Sequence, residues 1–140
     1  GLKKESLPDI NNSNIEFYGY LRKNVEAENK KLRDLFLTSH FFLLPSLSET
    51  YGLVFAEASG FALPSVSSNT GGIPSVIKNG LNGFTFSFDN LPEKAADAIC
   101  EYYFDKEKYR QLCISTYKEY QNRLNWNVLG NKIQNLFSSL

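Results

Sequence analysis

The run His40–Leu44 (HFFLL) sets consecutive apolar residues between a charged segment and Pro45. A strand with one wet face alternates apolar and polar residues. An unbroken apolar run of this length instead fits a strand covered on both faces, as parallel sheets require. The segments around it obey the same rule. Ile15 to Tyr18, closed by Gly19, suits a short strand, and Glu26–Thr38 repeats Leu32, Leu35 and Phe36 at helical spacing. After Pro45, residues Gly52 to Ser59 suit a helix with Gly60 placed to terminate it. LPSVS (Leu63–Ser67) predicts the next strand, SNTGGIPSVI a glycine turn into a short helix, NGLNG a turn, and FTFSF an alternating fourth strand.

Strand and helix in alternation predict an α/β fold: a parallel, Rossmann-like sheet with helices on both faces. The remaining sequence predicts C-terminal helices. Tyr109, Leu112, Thr116, Tyr117, Tyr120 and Leu124 form one stripe, and Leu129, Ile133, Leu136, Phe137 and Leu140 another, with Asn125 as cap of the last helix. The expected organisation is one domain over residues 1–140: a polar lead-in (1–14), an α/β core (15–90) and a helical tail (91–140). In such sheets ligands bind at the carboxyl ends of the strands. Those ends lead into Gly19-Tyr20-Leu21, Pro45 to Glu49, and Ser68 to Gly72.

Composition narrows the function. Fifteen basic residues balance fifteen acidic ones, which argues against a nucleic-acid partner. Cys100 and Cys113 form no metal-ligand spacing and no disulfide framework, so a reducing cytoplasm is the expected location. No apolar run is long enough to span a bilayer. The chain contains no methionine, so Gly1 is not a translation start and a longer parent is expected.

The stretch SLSETYGLVFAEASG carries the chemistry. Glu49 and Glu57 lie at the two ends of an apolar segment, and a buried carboxylate without a partner is costly. Gly52 sits where the loop enters its helix. There the first N–H groups are unpaired, the dipole is positive, and a glycine lets a phosphate or a sugar hydroxyl approach. A carboxylate on the helix can accept hydrogen bonds from a vicinal diol such as a ribose, and one in the loop can reach another part of the same ligand. The bland alternatives remain: Gly52 eases a tight turn, and the two glutamates cap or brace a helix. Gly71-Gly72 alone means a turn. His40, the single histidine, precedes a strand rather than ending one, and no Ser/His/Asp set or metal cluster can be assembled.

The order and spacing of Pro45-Ser46, Glu49, Tyr51-Gly52-Leu53, Glu57-Ala58, Gly60, Gly71-Gly72 and Asn79-Gly80 to Gly83 resemble the C-terminal nucleotide-sugar-binding domain of retaining GT-B glycosyltransferases. The resemblance is to the group 1, or family 4, enzymes, which include bacterial sugar transferases, sucrose synthase and sucrose-phosphate synthase. It extends from Ile15 to the end, with Asn125-Trp126 at the family's usual position before the last helix. It implies that Glu57 binds the ribose of the donor and that Glu49, the catalytic candidate, lies beside the transferred sugar. Backbone amides at Tyr51, Gly52 and Leu53 would hold sugar hydroxyls and diphosphate, with Gly71 and Gly72 in the third loop. Gly19, Tyr20 and Leu21 would flank the base.

The implied donor is a UDP-, GDP- or ADP-sugar, with no cofactor and no metal. The implied partners are an acceptor glycan or lipid, an N-terminal acceptor domain of the same chain, and a membrane surface touched peripherally by the parent. Polysaccharide biosynthesis is the expected setting. Ser75 stands where the family usually has Glu, and the family's diphosphate-neutralising Arg and Lys lie upstream of the matching region. The stretch alone is therefore expected to be inactive. The rival readings are a non-catalytic nucleotide-sugar-binding module and a related GT-B phosphorylase or epimerase. A receiver-type signalling domain is disfavoured, because FYGY supplies no acidic cluster at a strand end.

Overall fold

The computed structural model describes residues 14–139. Most of the polar lead-in, and Leu140 of the last stripe, lie outside the described residues. The chain divides into two compact units with the boundary between Leu35 and Phe36.

In the first unit, residues 15–22 form no regular element and lead through a turn into α1 (Glu26–Thr38), in which the boundary falls. The strand expected over Ile15–Tyr18 is not formed. A strand exists only where a neighbour completes its ladder, and here Ile15, Phe17 and Tyr18 are exposed. Lys31 Nζ lies 4.1 Å above the Tyr18 ring. Glu28, in the first turn of α1, accepts from the Arg22 backbone N–H at 2.6 Å and from its guanidinium Nε at 3.0 Å. These contacts hold the Glu28 carboxyl down at about 2, against an ordinary 4.5. The pairing is complete above the ordinary value and is lost as pH falls toward the depressed one.

The second unit holds a parallel sheet of three strands: β1 (Phe42–Leu44), β2 (Ser65–Ser68) and β3 (Gly83–Phe86), in the order β1-β2-β3. Leu43 pairs with Val66, and Val66 with Phe84. Two helices and a turn connect the strands: α2 (Leu53–Gly60) between β1 and β2, then α3 (Ile73–Val76) between β2 and β3. Helices α4 (Leu91–Phe104), α5 (Lys106–Glu119) and α6 (Trp126–Ser138) follow, with a π-turn (Tyr120–Leu124) between the last two.

The two faces of the sheet bury separate cores. On one face Phe55, Ala56, Ile73, Val76 and Ile77 pack with Phe42 and Leu44; on the other Val66, Leu91 and Ala95 pack with Phe41, Phe84 and Phe86. The two-sided cover expected from the apolar run is met in part: Phe41, Phe42 and Leu44 pack on these cores, while Leu43 stays exposed. Asp105 caps α5 by accepting from Lys108 N–H at 2.9 Å, and Asn125 caps α6 by accepting from Val128 N–H at 3.0 Å. Cys100 and Cys113 are free thiols on α4 and α5, and partial burial raises the Cys113 thiol above its usual range. The apolar stripe of α6 is present in the sequence, yet Leu129, Ile133, Leu136 and Phe137 all stay exposed.

One expectation fails at the end of α2. Gly60 does not terminate the helix; it is its last residue. The stop is two residues later. Leu63 N–H donates to Ala58 O at 3.1 Å and Ala62 N–H to Ser59 O at 3.0 Å, with Ala62 left-handed at φ 56. This is the Schellman arrangement, in which glycine is preferred at the left-handed position. An L-residue there is strained by about 1–2 kcal/mol. Ala62→Gly should therefore raise stability by about 1 kcal/mol, less the extra freedom glycine adds to the unfolded chain. Chemical denaturation of both proteins checks this through the transition midpoint.

Candidate functional site

Parallel strands deliver their carboxyl ends to one edge, and there hydroxyls join the two loops. After β1 the chain runs Pro45 to Gly52; after β2 it runs Asn69 to Gly72. Ser67 Oγ donates to Leu44 O at 2.6 Å, Ser46 N–H donates to Ser68 Oγ at 3.0 Å, and the same hydroxyl donates back to Ser46 O. Thr70 Oγ1 donates to Leu47 O at 3.3 Å. The polar central strand is explained in part: Ser67 and Ser68 fasten neighbouring backbone rather than face water, while the Ser65 hydroxyl is buried without a hydrogen-bond partner.

The glycine turn closes on the first loop. Gly72 N–H donates to Glu49 O at 2.9 Å. A Cβ on Gly71 would stand 2.0 Å from Glu49 O, and one on Gly72 would stand 1.9 Å from Thr50 O. Only bare backbone fits between these loops. Gly52 is left-handed at φ 82, and a Cβ there would meet the Phe55 ring at 2.5 Å. It opens α2 with no side-chain cap and no acidic residue in the first turn. The first N–H groups of an α-helix have no intrahelical partner and carry the positive end of its dipole.

Glu49 is half-buried in the loop, with Oε1 accepting from Tyr51 N–H at 3.4 Å. Glu57 is half-buried in the second turn of α2. Tyr51 and Leu53 are exposed beside the buried Gly52. Glu49, Tyr51, Gly52, Leu53, Gly71 and Gly72 therefore belong to one interlocked pair of loops, and Glu57 to the helix that rises from it. Gly19, Tyr20 and Leu21 belong to the first unit, where Gly19 is left-handed at φ 67 and Tyr20 is exposed.

Chemically, the arrangement offers the backbone donors of a helix start, where Phe55 N–H is already bonded to Gly52 O at 3.0 Å, and carboxylates that can accept from hydroxyls. Such a set suits an anion joined to a polyhydroxyl group. Among the described residues no group of three or more His, Cys, Asp or Glu side chains could hold a metal ion. Nor is any described helix long and apolar enough to cross a membrane.

Sequence reasoning missed two parts of this assembly. Thr50, through its carbonyl, is the wall that keeps Gly72 a glycine. Arg123 grips the far end of α3, donating from Nη1 to Ser75 O at 2.6 Å and from Nη2 to Val76 O at 2.8 Å. The signal for Arg123 was its i,i+4 partner Glu119, 2.6 Å from Nε, which by itself looks like an ordinary helix pair.

Known proteins carry similar sequence. A family model described as glycosyl transferases group 1 matches residues 1–105. A sulfoquinovosyl transferase of Arabidopsis thaliana is 30% identical over 111 residues, covering 77% of this chain and 21% of the relative. The gpi3 subunit of the phosphatidylinositol N-acetylglucosaminyltransferase of Schizosaccharomyces pombe is 25% identical over 127 residues, 90% of this chain and 26% of the relative. A glycogen synthase of Pseudomonas fluorescens is 33% identical over 87 residues, 62% of this chain and 17% of the relative. The chain spans about a quarter or less of the length of these relatives. With the family match covering most of its residues, and with an α/β fold that places the matched loops at one sheet edge, the chain belongs to the group 1 glycosyl transferases.

Proposed function

We propose that this chain carries the donor site of a retaining, metal-independent glycosyltransferase that moves a sugar from a nucleoside diphosphate to a glycan or lipid acceptor. The observation that supports it best is the uncapped N-terminus of α2, beside a glycine turn that admits only backbone, with Glu49 and Glu57 on the same loop and helix. Glu57 accepts hydrogen bonds from the ribose hydroxyls. Glu49 lies beside the transferred sugar. The amides at Tyr51, Gly52 and Leu53 take sugar hydroxyls and diphosphate oxygens, and the turn at Gly71 and Gly72 closes on the Glu49 loop beside the transferred sugar.

In the reaction the bond between the anomeric carbon and the diphosphate oxygen breaks, a bond to the acceptor oxygen forms, and the nucleoside diphosphate leaves. Charge grows on the leaving diphosphate, where preorganised N–H dipoles act most strongly. On this reading the acceptor-binding domain, and the Arg and Lys that complete diphosphate neutralisation, lie upstream of this stretch in the full-length protein. The relatives' printed names support sugar transfer as a class and differ in the sugar, as expected if Glu57 reads the ribose that all donors share.

The reading is tested by incubating the full-length protein with UDP-, GDP- and ADP-sugars, with and without chelator, and following nucleoside diphosphate release. Release from one donor class, unchanged by chelator, is expected. Binding without release would support the non-catalytic module instead, and no binding of any donor would end the reading.

A further inference from the structure

We propose that Arg123 is a positioning residue for the donor site, setting the Gly71–Gly72 turn against the Glu49 loop from behind; the proposal rests on the donor-site reading above. Helix α3 has four residues, too few to hold a helical shape alone, because a single turn barely offsets its own nucleation. Its geometry is imposed from both ends. At the front, Gly72 N–H is bound to Glu49 O at 2.9 Å. At the back, the Arg123 fork spans Ser75 O at 2.6 Å and Val76 O at 2.8 Å, while its Nε is held by Glu119 at 2.6 Å. A guanidinium fixed at three points is rigid, and a lysine cannot reproduce the fork.

The backbone that presents Arg123 is unusual in the same way. It is a π-turn, Tyr120–Leu124, closed by Asn125 Nδ2 donating to Tyr120 O and Gln121 O at 2.8 Å each. One extra residue in a helical turn rotates the following side chains by about 100°, and such turns concentrate at functional sites. The same π-turn also meets the end of α2: a Cβ on Gly60 would stand 3.2 Å from the Tyr120 ring. One element thus braces both helices whose opposite ends carry the proposed site. The Arg123 fork acts on the end of α3, so its loss should misplace the turn while leaving nucleotide affinity intact.

The test uses the full-length protein, below the melting temperature of each variant, with UDP, GDP and ADP as binding probes and donor turnover as the rate. Arg123→Gln should lower kcat about tenfold to a hundredfold through sub-ångström misplacement, with nucleoside diphosphate Kd unchanged within about threefold. Arg123→Lys, which keeps the charge but loses the fork, should fall between Gln and wild type. If the Gln variant does not fold, the Lys variant carries the comparison. Wild-type kcat in a folded variant, or kcat and nucleotide affinity falling together with the unfolded fraction, would overturn the positioning role. A wild-type protein that binds none of the three nucleotides fails in a separate way: the donor-site reading itself falls, and the role with it.

Discussion

If the proposed donor-site reading holds, Gly72→Ala in the full-length protein is expected to abolish measurable sugar transfer and to lower the melting temperature by several degrees. The argument is steric. Gly72 has an ordinary φ of −84, so no backbone strain is involved. The added methyl would stand 1.9 Å from Thr50 O, 2.8 Å from Thr50 C and 3.1 Å from Tyr51 Cα. Backbone cannot step aside as a flexible side chain does, so the two loops must part. Parting breaks the Gly72 N–H bond to Glu49 O and moves Glu49 itself. Overpacking costs about 1–3 kcal/mol when a core can adjust, and the upper end or beyond applies where the obstacle is a carbonyl.

The fold supplies its own control. Gly80 is left-handed at φ +75, with nothing within 4 Å of a Cβ placed on it. Gly80→Ala should carry only about 1 kcal/mol of strain and leave turnover near wild type. Thermal melts and kcat/KM on the two variants check the pair. Equal, small effects at both positions would contradict the interlocked-loop geometry.

The second large effect separates the two carboxylates. On the proposed reading, Glu57→Gln removes a charged acceptor from the ribose, a contact made alike in ground and transition states. It should raise donor KM about tenfold to a hundredfold, from roughly 1.5–3 kcal/mol for a hydrogen bond to a charged group, with kcat little changed. Glu49→Gln should act chiefly on kcat, because charge at the sugar changes as the glycosidic bond breaks. Glutamine keeps an oxygen that can still accept from Tyr51 N–H, so the local loop contact at 3.4 Å survives. If the two glutamates merely brace the helix, both variants should instead lose melting temperature, with kinetic losses tracking the unfolded fraction. Melting temperature, KM and kcat measured together decide between these patterns.

Much of this was legible in the sequence, for identifiable reasons. The apolar run at Phe41–Leu44 demanded cover on two faces, and it is met only in part: Phe42 and Leu44 join one core and Phe41 the other, while Leu43 stays 52% exposed. Asn125 was visible as a cap because N-cap chemistry is local. What failed was nonlocal. Ile15–Tyr18 has strand-like residues, but strand formation depends on a neighbour and not on the segment itself. Gly60 was the wrong stop because a helix ends where its carbonyls find alternative donors, and those are the N–H groups of Ala62 and Leu63. At the site, the residue types were readable, while the walls were not. Thr50 O and the Arg123 fork act through backbone carbonyls, which every residue carries; the one mark of Arg123 in the sequence, its i,i+4 spacing from Glu119, does not say what the fork holds.

Hydrogen–deuterium exchange on the full-length protein, with and without the nucleotide-sugar proposed as its donor, tests the central claim most directly. The account predicts donor-dependent protection in peptides covering 46–57 and 69–76, with no change across 106–119. Protection confined to other peptides, or none at a donor concentration that saturates turnover, would contradict it.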